Sequence, residues 1–323
     1  MKAIRVEETG GPDVMRLVDV DEPALKPNEI CVRSHAIGVN FIDTYHRSGL
    51  YKLPLPTGIG QEFAGVVEAI GESVTRFKIG DRIASGTAPV GAYAETHTLP
   101  ETRGVHVPQA ISFDVAASAM LKGMTARYLL RKTFRVKRGD VVVIHAAAGG
   151  VGQIAVQWAK HLGATVIAIV GSDAKVEIAT AIGADHVIVQ ARDDIAKRVR
   201  DITNGEGAHV VYDGVGKDTF MASIDSLRPL GMMVSYGNAS GPAPEFSPLL
   251  LAQKGSLFFT RPTLNHYTAT VGDLDETAAD LFEVIASGAV KIAPPTRYAL
   301  ADAVQAHRDL EARKTTGSLV LAP

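Results

Sequence analysis

Residues 145–160 read HAAAGGVGQIAVQWAK, and within them Ala147-Ala148-Gly149-Gly150-Val151-Gly152 keep the spacing G-x-G-x-x-G with alanine in the first glycine's place. Small residues at this spacing let the backbone turn tightly and come close to a ligand. Free N–H groups at the start of the following helix then attract an anion such as a pyrophosphate. The chemistry in view is dinucleotide binding through Ala148, Gly149, Gly150, Val151 and Gly152. A bend of small residues is also an ordinary strand-to-helix turn, so its surroundings must decide.

A second strand ends about twenty residues on, where the ribose partner of a dinucleotide is expected. Its tip is Gly171-Ser172, with Lys175 shortly after. A site for NAD calls for a carboxylate here, whereas a lysine suits the 2′-phosphate of NADPH. Asp173 is the contrary feature: it would serve as that acid if the strand ran two residues further, and Lys175 would then be a solvated helix residue. Two more strand ends carry glycines, YDGVG (212–216) with Gly214 and Val215, and SYGNASG (235–241) with Tyr236, Gly237 and Asn238. Ligands of open α/β sheets lie at such ends, which assigns these residues to the nicotinamide half; the alternative for each is a plain βα turn.

The elements that must hold these residues have a clear beat. Strand-like runs begin near Val141, Thr165, His186, His209, Gly231 and Ser256, with helix-length segments between them. Runs such as VVVIH and TVIAIV are continuous rather than alternating, as parallel strands buried on both faces require. The pattern predicts an open, doubly wound sheet. After the bend, Val151, Ile154, Ala155, Trp158, Ala159 and Leu162 are spaced to form one apolar helix face. The first 120 or so residues differ: short extended runs such as EICVRSHAIGV and AGVVEAIG are punctuated by Gly, Pro, Asn and Asp. They predict a mainly β, partly barrel-like domain. The residues after Arg261 have no beat of their own and are expected to return and complete it.

The chain has 323 residues, 46% hydrophobic and 21% charged, which suits two packed domains and excludes disorder and coiled coil. A net charge of −2 with scattered Lys and Arg gives no basic face for nucleic acid or an anionic membrane, so the expected partner is a small molecule. No run approaches the roughly 18 apolar residues of a membrane span, and MKAIRVEETGGP has charges where a secretory signal needs an apolar core; the expected address is the cytoplasm. Cys31 is the single cysteine, which excludes an intrachain disulfide and any multi-thiolate zinc site.

GQEFAGVVEAIG fits G-x-E-x-x-G-x-V-x-x-x-G at Gly60, Glu62, Gly65, Val67 and Gly71, and KIGDRI follows it. With AIGVNFIDTYHRSGLY (36–51), LKGMTARYLLRK (121–132), SYGNASG and KGSLFFTRP (254–262), the chain resembles, over its whole length, the medium-chain dehydrogenase/reductases, and among them the zinc-free quinone oxidoreductases related to zeta-crystallin. The resemblance implies a Rossmann coenzyme domain at 124–261 inserted in a catalytic, GroES-like domain formed by 1–123 and 262–323. It also implies NADPH as cofactor and a homodimer paired through GSLFFTR. Alcohol dehydrogenases of this superfamily carry a catalytic zinc on Cys and His; the corresponding positions here are Asn40 and Gln61, and amides do not replace thiolate and imidazole. No metal is expected.

Without a Lewis acid to hold an alkoxide, alcohol oxidation is disfavoured, while an electron-poor quinone spreads incoming charge over its own conjugated system. The resemblance places Asn40, Asp43 and Tyr45 in the cleft as catalytic residues, with Phe41 and Ile42 beside them as cofactor contacts. Thr125, Tyr128, Arg261 and Pro262 resemble further cofactor contacts. Arg313 matches a basic residue that relatives turn toward the 2′-phosphate. Gln190 stands at the adenine end where several relatives have an aromatic residue, so stacking is lost there. The expected activity is direct NADPH-dependent quinone reduction, without zinc or flavin. Two alternatives stay open: reduction of activated C=C bonds in enals, enones or enoyl thioesters, and a non-enzymatic crystallin-like or RNA-binding role.

Overall fold

The structure, a computed structural model, describes residues 1–312 and 314–323; Arg313 lies outside the described residues. The chain divides into two compact units, one of Met1–Met124, Thr268–Ala286 and Ile292–Pro323, the other of Thr125–Tyr267 and Ser287–Lys291.

The first unit is built on β1 (Lys2–Val6), β2 (Met15–Asp19), β3 (Glu29–Val39), β4 (Thr57–Gly58), β5 (Glu62–Ile70), β6 (Arg82–Ser85), β7 (Thr96–Pro100) and β8 (Val105–His106), with α1 (Phe41–Ser48) after β3 and, after β8, α2 (Phe113–Tyr128), whose residues from Thr125 on belong to the second unit. β1, β2 and β4 form one sheet in the order β2-β1-β4. β3 organises the other. One of its edges pairs antiparallel with β5, and β7 takes Glu29–Arg33 on the other edge. A register shift between Ser34 and Ala36 bends the strand, and the last strand of the chain then takes over that edge at Ile37–Val39. Ile30, Val32, Ile37, Phe63, Ile83, Tyr93 and Leu99 make the core.

The second unit alternates β9 (Val141–Ile144), α3 (Gly150–His161), β10 (Thr165–Val170), α4 (Val176–Ala181), β11 (His186–Val189), α5 (Ile195–Ile202), β12 (Ala208–Asp213), α6 (Phe220–Asp225), β13 (Leu227–Ser235), α7 (Leu249–Gln253), β14 (Phe258–Thr260) and α8 (Leu264–Tyr267). The sheet is parallel, in the order β11-β10-β9-β12-β13-β14. The chain winds outward from β9 in both directions, so the exit of β9 is the topological switch point where such sheets bind ligands. The bend at 145–149 leaves the sheet there.

Three strand starts fall where the hydrophobic runs begin, at Val141, Thr165 and His186, and β12 starts one residue before His209. β13 begins at Leu227, four residues before Gly231. Leu227 pairs with Ala208 while Met232 pairs with Val210, so Arg228–Gly231 bulge out of a continuing strand, and Arg-Pro-Leu-Gly reads in sequence as a break. On α3 the buried face is Ile154, Ala155, Val156, Trp158 and Ala159; Val151 and Leu162 are half-buried. The chain then returns to the first unit through α9 (Val271–Ala286), β15 (Thr296–Ala299), α10 (Ala303–Glu311) and β16 (Leu319–Ala322), with β15 parallel to β16.

Candidate active site

The bend is a backbone device. Ala146 takes a positive φ of 49°, its carbonyl accepts the Gly149 N–H at 2.8 Å, and the Ala147 N–H reaches the Ile169 carbonyl at 3.0 Å. A Cβ on Gly152 would stand 2.3 Å from the Ala146 carbonyl oxygen and 2.7 Å from Ala147 Cα, both fixed backbone, so only glycine lets α3 pack this closely on the bend. Gly149 is the N-cap, and no side chain caps the helix. The N–H groups of the first turn, at Gly150, Val151 and Gly152, therefore point out of a helix end that carries partial positive charge. Ala148 is buried under the turn, and its carbonyl accepts from Gln153 Nε2 at 2.9 Å.

β10 ends at Val170, so Gly171 and Ser172 are its tip and Asp173–Lys175 form a single 3-10 turn. A side chain at Gly171 would meet nothing within 4 Å; glycine keeps that space open. Lys175 is half-buried, and its backbone N–H binds the Ser172 carbonyl. Gln190, just past β11, donates its N–H to the Val170 carbonyl at 2.8 Å, which seats it beside the same tip.

The two other strand ends are tied to one another. The Asp213 carboxylate accepts from the backbone N–H groups of Val215 and Gly216 and from the hydroxyls of Thr219 and Ser223, fixing the turn that holds Gly214 and Val215. A Cβ on Gly237 would lie 2.4 Å from the Gly214 carbonyl oxygen, and Ser240 donates its N–H to the Val215 carbonyl at 2.8 Å. Tyr236 faces Gly214, and Asn238 begins the turn closed by the Gly241 N–H. Elsewhere in this unit Thr125 and Tyr128 are buried, and Tyr128 stacks on Tyr267 at 4.6 Å between ring centroids. Burial holds the Tyr128 phenol well above its ordinary range, against the pull of the Arg261 charge. Arg261 is exposed and donates to the carbonyl of Pro262, which is buried.

In the first unit Asn40, Phe41, Ile42, Asp43 and Tyr45 share the start of α1. Asn40 is the N-cap in extended conformation, and the Asp43 carboxylate reaches back to accept its backbone N–H at 2.8 Å. Phe41, Ile42 and Tyr45 are half-buried, and Tyr45 packs edge-on against Tyr51. The Asn40 amide donates at 2.8 Å to Glu62 Oε2, which also receives Lys122 Nζ at 3.1 Å; Glu62 Oε1 takes the Leu121 N–H at 2.7 Å. Glu62 is fully buried and Lys122 nearly so. Gly38, opposite Glu62 in the β3–β5 register, leaves room for that carboxylate: a Cβ there would stand 2.2 Å from Glu62 Oε2.

Asp43 belongs to a second buried chain. Arginine only donates, so Arg47 Nη1 donates to His307 Nδ1 at 2.9 Å; His307 Nε2 then carries the hydrogen and donates to the Tyr93 oxygen at 3.0 Å, and Tyr93 donates to Asp43 Oδ2 at 3.0 Å. Arg47 also forms a two-pronged pair with Glu311 at 2.7 and 3.1 Å. Burial raises the Asp43 carboxyl to about 7 despite its two hydrogen bonds, and its Oδ1 is buried with no hydrogen-bond partner among the described residues. Burial, helped by Arg47, lowers His307 to about 3, so the ring is neutral and relays hydrogen bonds rather than charge.

The donor set here does not fit zinc. Asn40 and Gln61 offer amides, the Gln61 amide donates to the Ala88 carbonyl, and the Glu62 carboxylate is already neutralised by an ammonium. Sequence reading missed Lys122, Tyr93, His307 and Asp213 as parts of these arrangements. Lys122 had a visible signal, a lone charge inside the apolar run AASAMLKGMTA, which requires a buried partner. Tyr93 and His307 had none, because they meet Asp43 only through the tertiary fold.

Residues 26–110 match the alcohol dehydrogenase GroES-like domain and residues 150–283 the family described as zinc-binding dehydrogenase. The quinone oxidoreductase of Pseudomonas aeruginosa is 49% identical, over 100% of this chain and 99% of that protein. A 2-haloacrylate reductase from a Burkholderia species is 44% identical over 98% of each. The crystal structure of Escherichia coli quinone oxidoreductase complexed with NADPH superimposes with a TM-score of 0.98 at 45% identity, covering 100% of both chains. A full-length match at this identity makes the chain a member of the quinone oxidoreductase family of the medium-chain dehydrogenase/reductases.

Proposed function

We propose that this protein is an NADPH-dependent quinone reductase that passes reducing equivalents directly to a small-molecule quinone, with neither zinc nor flavin. The observation that carries this reading is the engagement of Glu62 by Lys122, Asn40 and the Leu121 N–H, where a metal-dependent relative would need a ligand field. An acceptor that needs no Lewis acid is one that delocalises charge itself. The dinucleotide, when bound, supplies the hydride.

The chain's own residues hold and orient. Ala148, the N-cap Gly149 and the N–H groups of Gly150, Val151 and Gly152 take the pyrophosphate, and Gly171, Ser172 and Lys175 take the 2′-phosphate ribose with Gln190 at the adenine; Arg313 joins them in this reading. Gly214, Val215, Tyr236, Gly237, Asn238, Thr125, Tyr128, Arg261 and Pro262 serve the nicotinamide half, and Phe41 and Ile42 are cofactor contacts in this reading. Tyr45 donates to the acceptor oxygen as charge builds on it, and Asn40 and Asp43 hold the first turn of α1 in place. The protein acts in the cytoplasm as a homodimer; no helix among the described residues is long and apolar enough to cross a membrane. β14, the sheet's edge with Phe258 more than half exposed, is the pairing strand.

The test is an NADPH-oxidation screen against ortho- and para-quinones, enones, enoyl thioesters and 2-haloacrylates, with a chelator present. Turnover highest with quinones and unchanged by chelation supports the reading. The second reading, reduction of activated C=C bonds, rests on the likeness to the 2-haloacrylate reductase; turnover confined to the alkenes would establish it instead.

A further inference from the structure

Val170 and Val189 are register partners, so β10 and β11 leave the sheet side by side, one into Gly171-Ser172-Asp173 and the other into Gln190-Ala191-Arg192. Arg192 bridges the two exits. Its Nη1 donates to Asp173 Oδ1, and its Nε lies 3.4 Å from Asp193 Oδ1. The base of the bridge is fixed: the Arg192 N–H binds the Val189 carbonyl at 3.1 Å, and Asp193 Oδ2 accepts the Val189 N–H at 2.9 Å. The ends are open, with the Arg192 side chain 57% and that of Asp173 70% exposed.

Asp173 is a carboxylate within three residues of the strand tip, where negative charge favours free ribose hydroxyls and repels a phosphate. Taken alone it argues for NADH. We propose that Arg192 is a coenzyme-specificity residue of this chain: its guanidinium cancels the Asp173 carboxylate and presents its remaining donors to the 2′-phosphate of NADPH, beside Ser172 and Lys175. The inference rests on the coenzyme reading given under Proposed function and deepens it. The chemistry suits the task. Five N–H donors in a rigid plane can keep Asp173 on one edge and meet phosphate oxygens with another. An exposed Arg–Asp pair adds little to folding, so partial exchange of the carboxylate for a phosphate bearing close to two negative charges is favourable. A donor from Arg192 also offsets the aromatic stacking that Gln190 does not provide.

The experiment measures the Kd of NADPH and NADH by nicotinamide fluorescence at low ionic strength, on the wild type, Arg192→Ala, Arg192→Ala/Asp173→Asn and Lys175→Ala. Arg192→Ala should weaken NADPH about 10-fold or more and NADH less than 2-fold, and adding Asp173→Asn should recover part of the NADPH loss by removing the unshielded carboxylate. A change of less than 2-fold in NADPH for Arg192→Ala, with Lys175→Ala still losing at least 10-fold, overturns the role of Arg192 and leaves the coenzyme reading standing. A wild type that prefers NADH, with NADPH affinity untouched in both single variants, overturns the coenzyme reading itself.

Discussion

The coenzyme-side bend and the Glu62–Asp43 cluster are built by opposite means. At the bend, the proposed recognition is written in backbone: Ala146 to Gly152 are contiguous, their side chains are small or absent, and the groups on offer are peptide N–H groups at one helix end. In the first unit the arrangement is written in side chains brought from far apart, since Asn40, Glu62, Lys122, Tyr93 and His307 come from the β3–α1 junction, β5, α2, the β6–β7 connection and α10. A backbone site tolerates side-chain change except where a Cβ cannot fit. A side-chain site depends on complete pairing, because a buried charge left alone is costly. Damage to the first should therefore appear in ligand affinity, and damage to the second in stability.

The largest effect is expected from Lys122→Met. It strands the buried Glu62 carboxylate, and removing one partner of a buried pair costs about 3–5 kcal/mol. The melting temperature should fall by roughly 10 °C, at about 2–4 °C per kcal/mol for domains of this size, while NADPH affinity stays within about 2-fold (roughly 0.4 kcal/mol). The double variant Lys122→Met/Glu62→Gln should recover part of the loss. An unchanged melting temperature in Lys122→Met would remove the distinction between the two regions.

Asp43 gives that distinction a pH signature. Its folded value of about 7 stands above its ordinary 3.8, so the fold favours the protonated form. The stability it contributes is fully present below about pH 4 and is lost as the pH rises to about 7. Asp43→Asn should flatten the dependence of melting temperature on pH across that window, by up to about 1.4 kcal/mol per pH unit. Parallel pH profiles for the two proteins would show that Asp43 titrates normally.

Gly152→Val tests the other region. With three backbone atoms inside 3 Å of the new Cβ, the bend must shift. Overpacking of this kind costs about 1–3 kcal/mol, and coenzyme titration should show at least about 100-fold weaker NADPH binding as the N–H groups move off line. Tight binding by this variant would mean that the bend does not set the phosphate site. The smallest effect expected is that of Tyr45→Phe: turnover with quinone should fall on the order of tenfold, matching the loss of one neutral hydrogen bond of about 0.5–1.5 kcal/mol, with NADPH affinity unchanged. Weaker coenzyme binding at full turnover would reassign Tyr45 to the cofactor.

Much of the second unit can be read from the sequence because its signals are local. Continuous apolar runs mark strands buried on both faces, and the small residues at 147–152 mark a close approach of helix to strand. The start of β13 was not legible, since Pro229 and Gly231 look like a break and only pairing with β12 shows a bulge within a strand. The single cysteine and the amides at Asn40 and Gln61 likewise settle in one dimension what those positions offer a metal. Tertiary structure alone decided what the remaining polar groups do. Lys122 is 60 residues from the carboxylate it neutralises, His307 is 214 residues from the hydroxyl it supports, and Arg192 crosses 19 residues to shield Asp173. The physical reason is range: backbone geometry and burial periodicity are properties of neighbours along the chain, whereas the pairing of a buried charge is set by whichever segment the fold lays beside it.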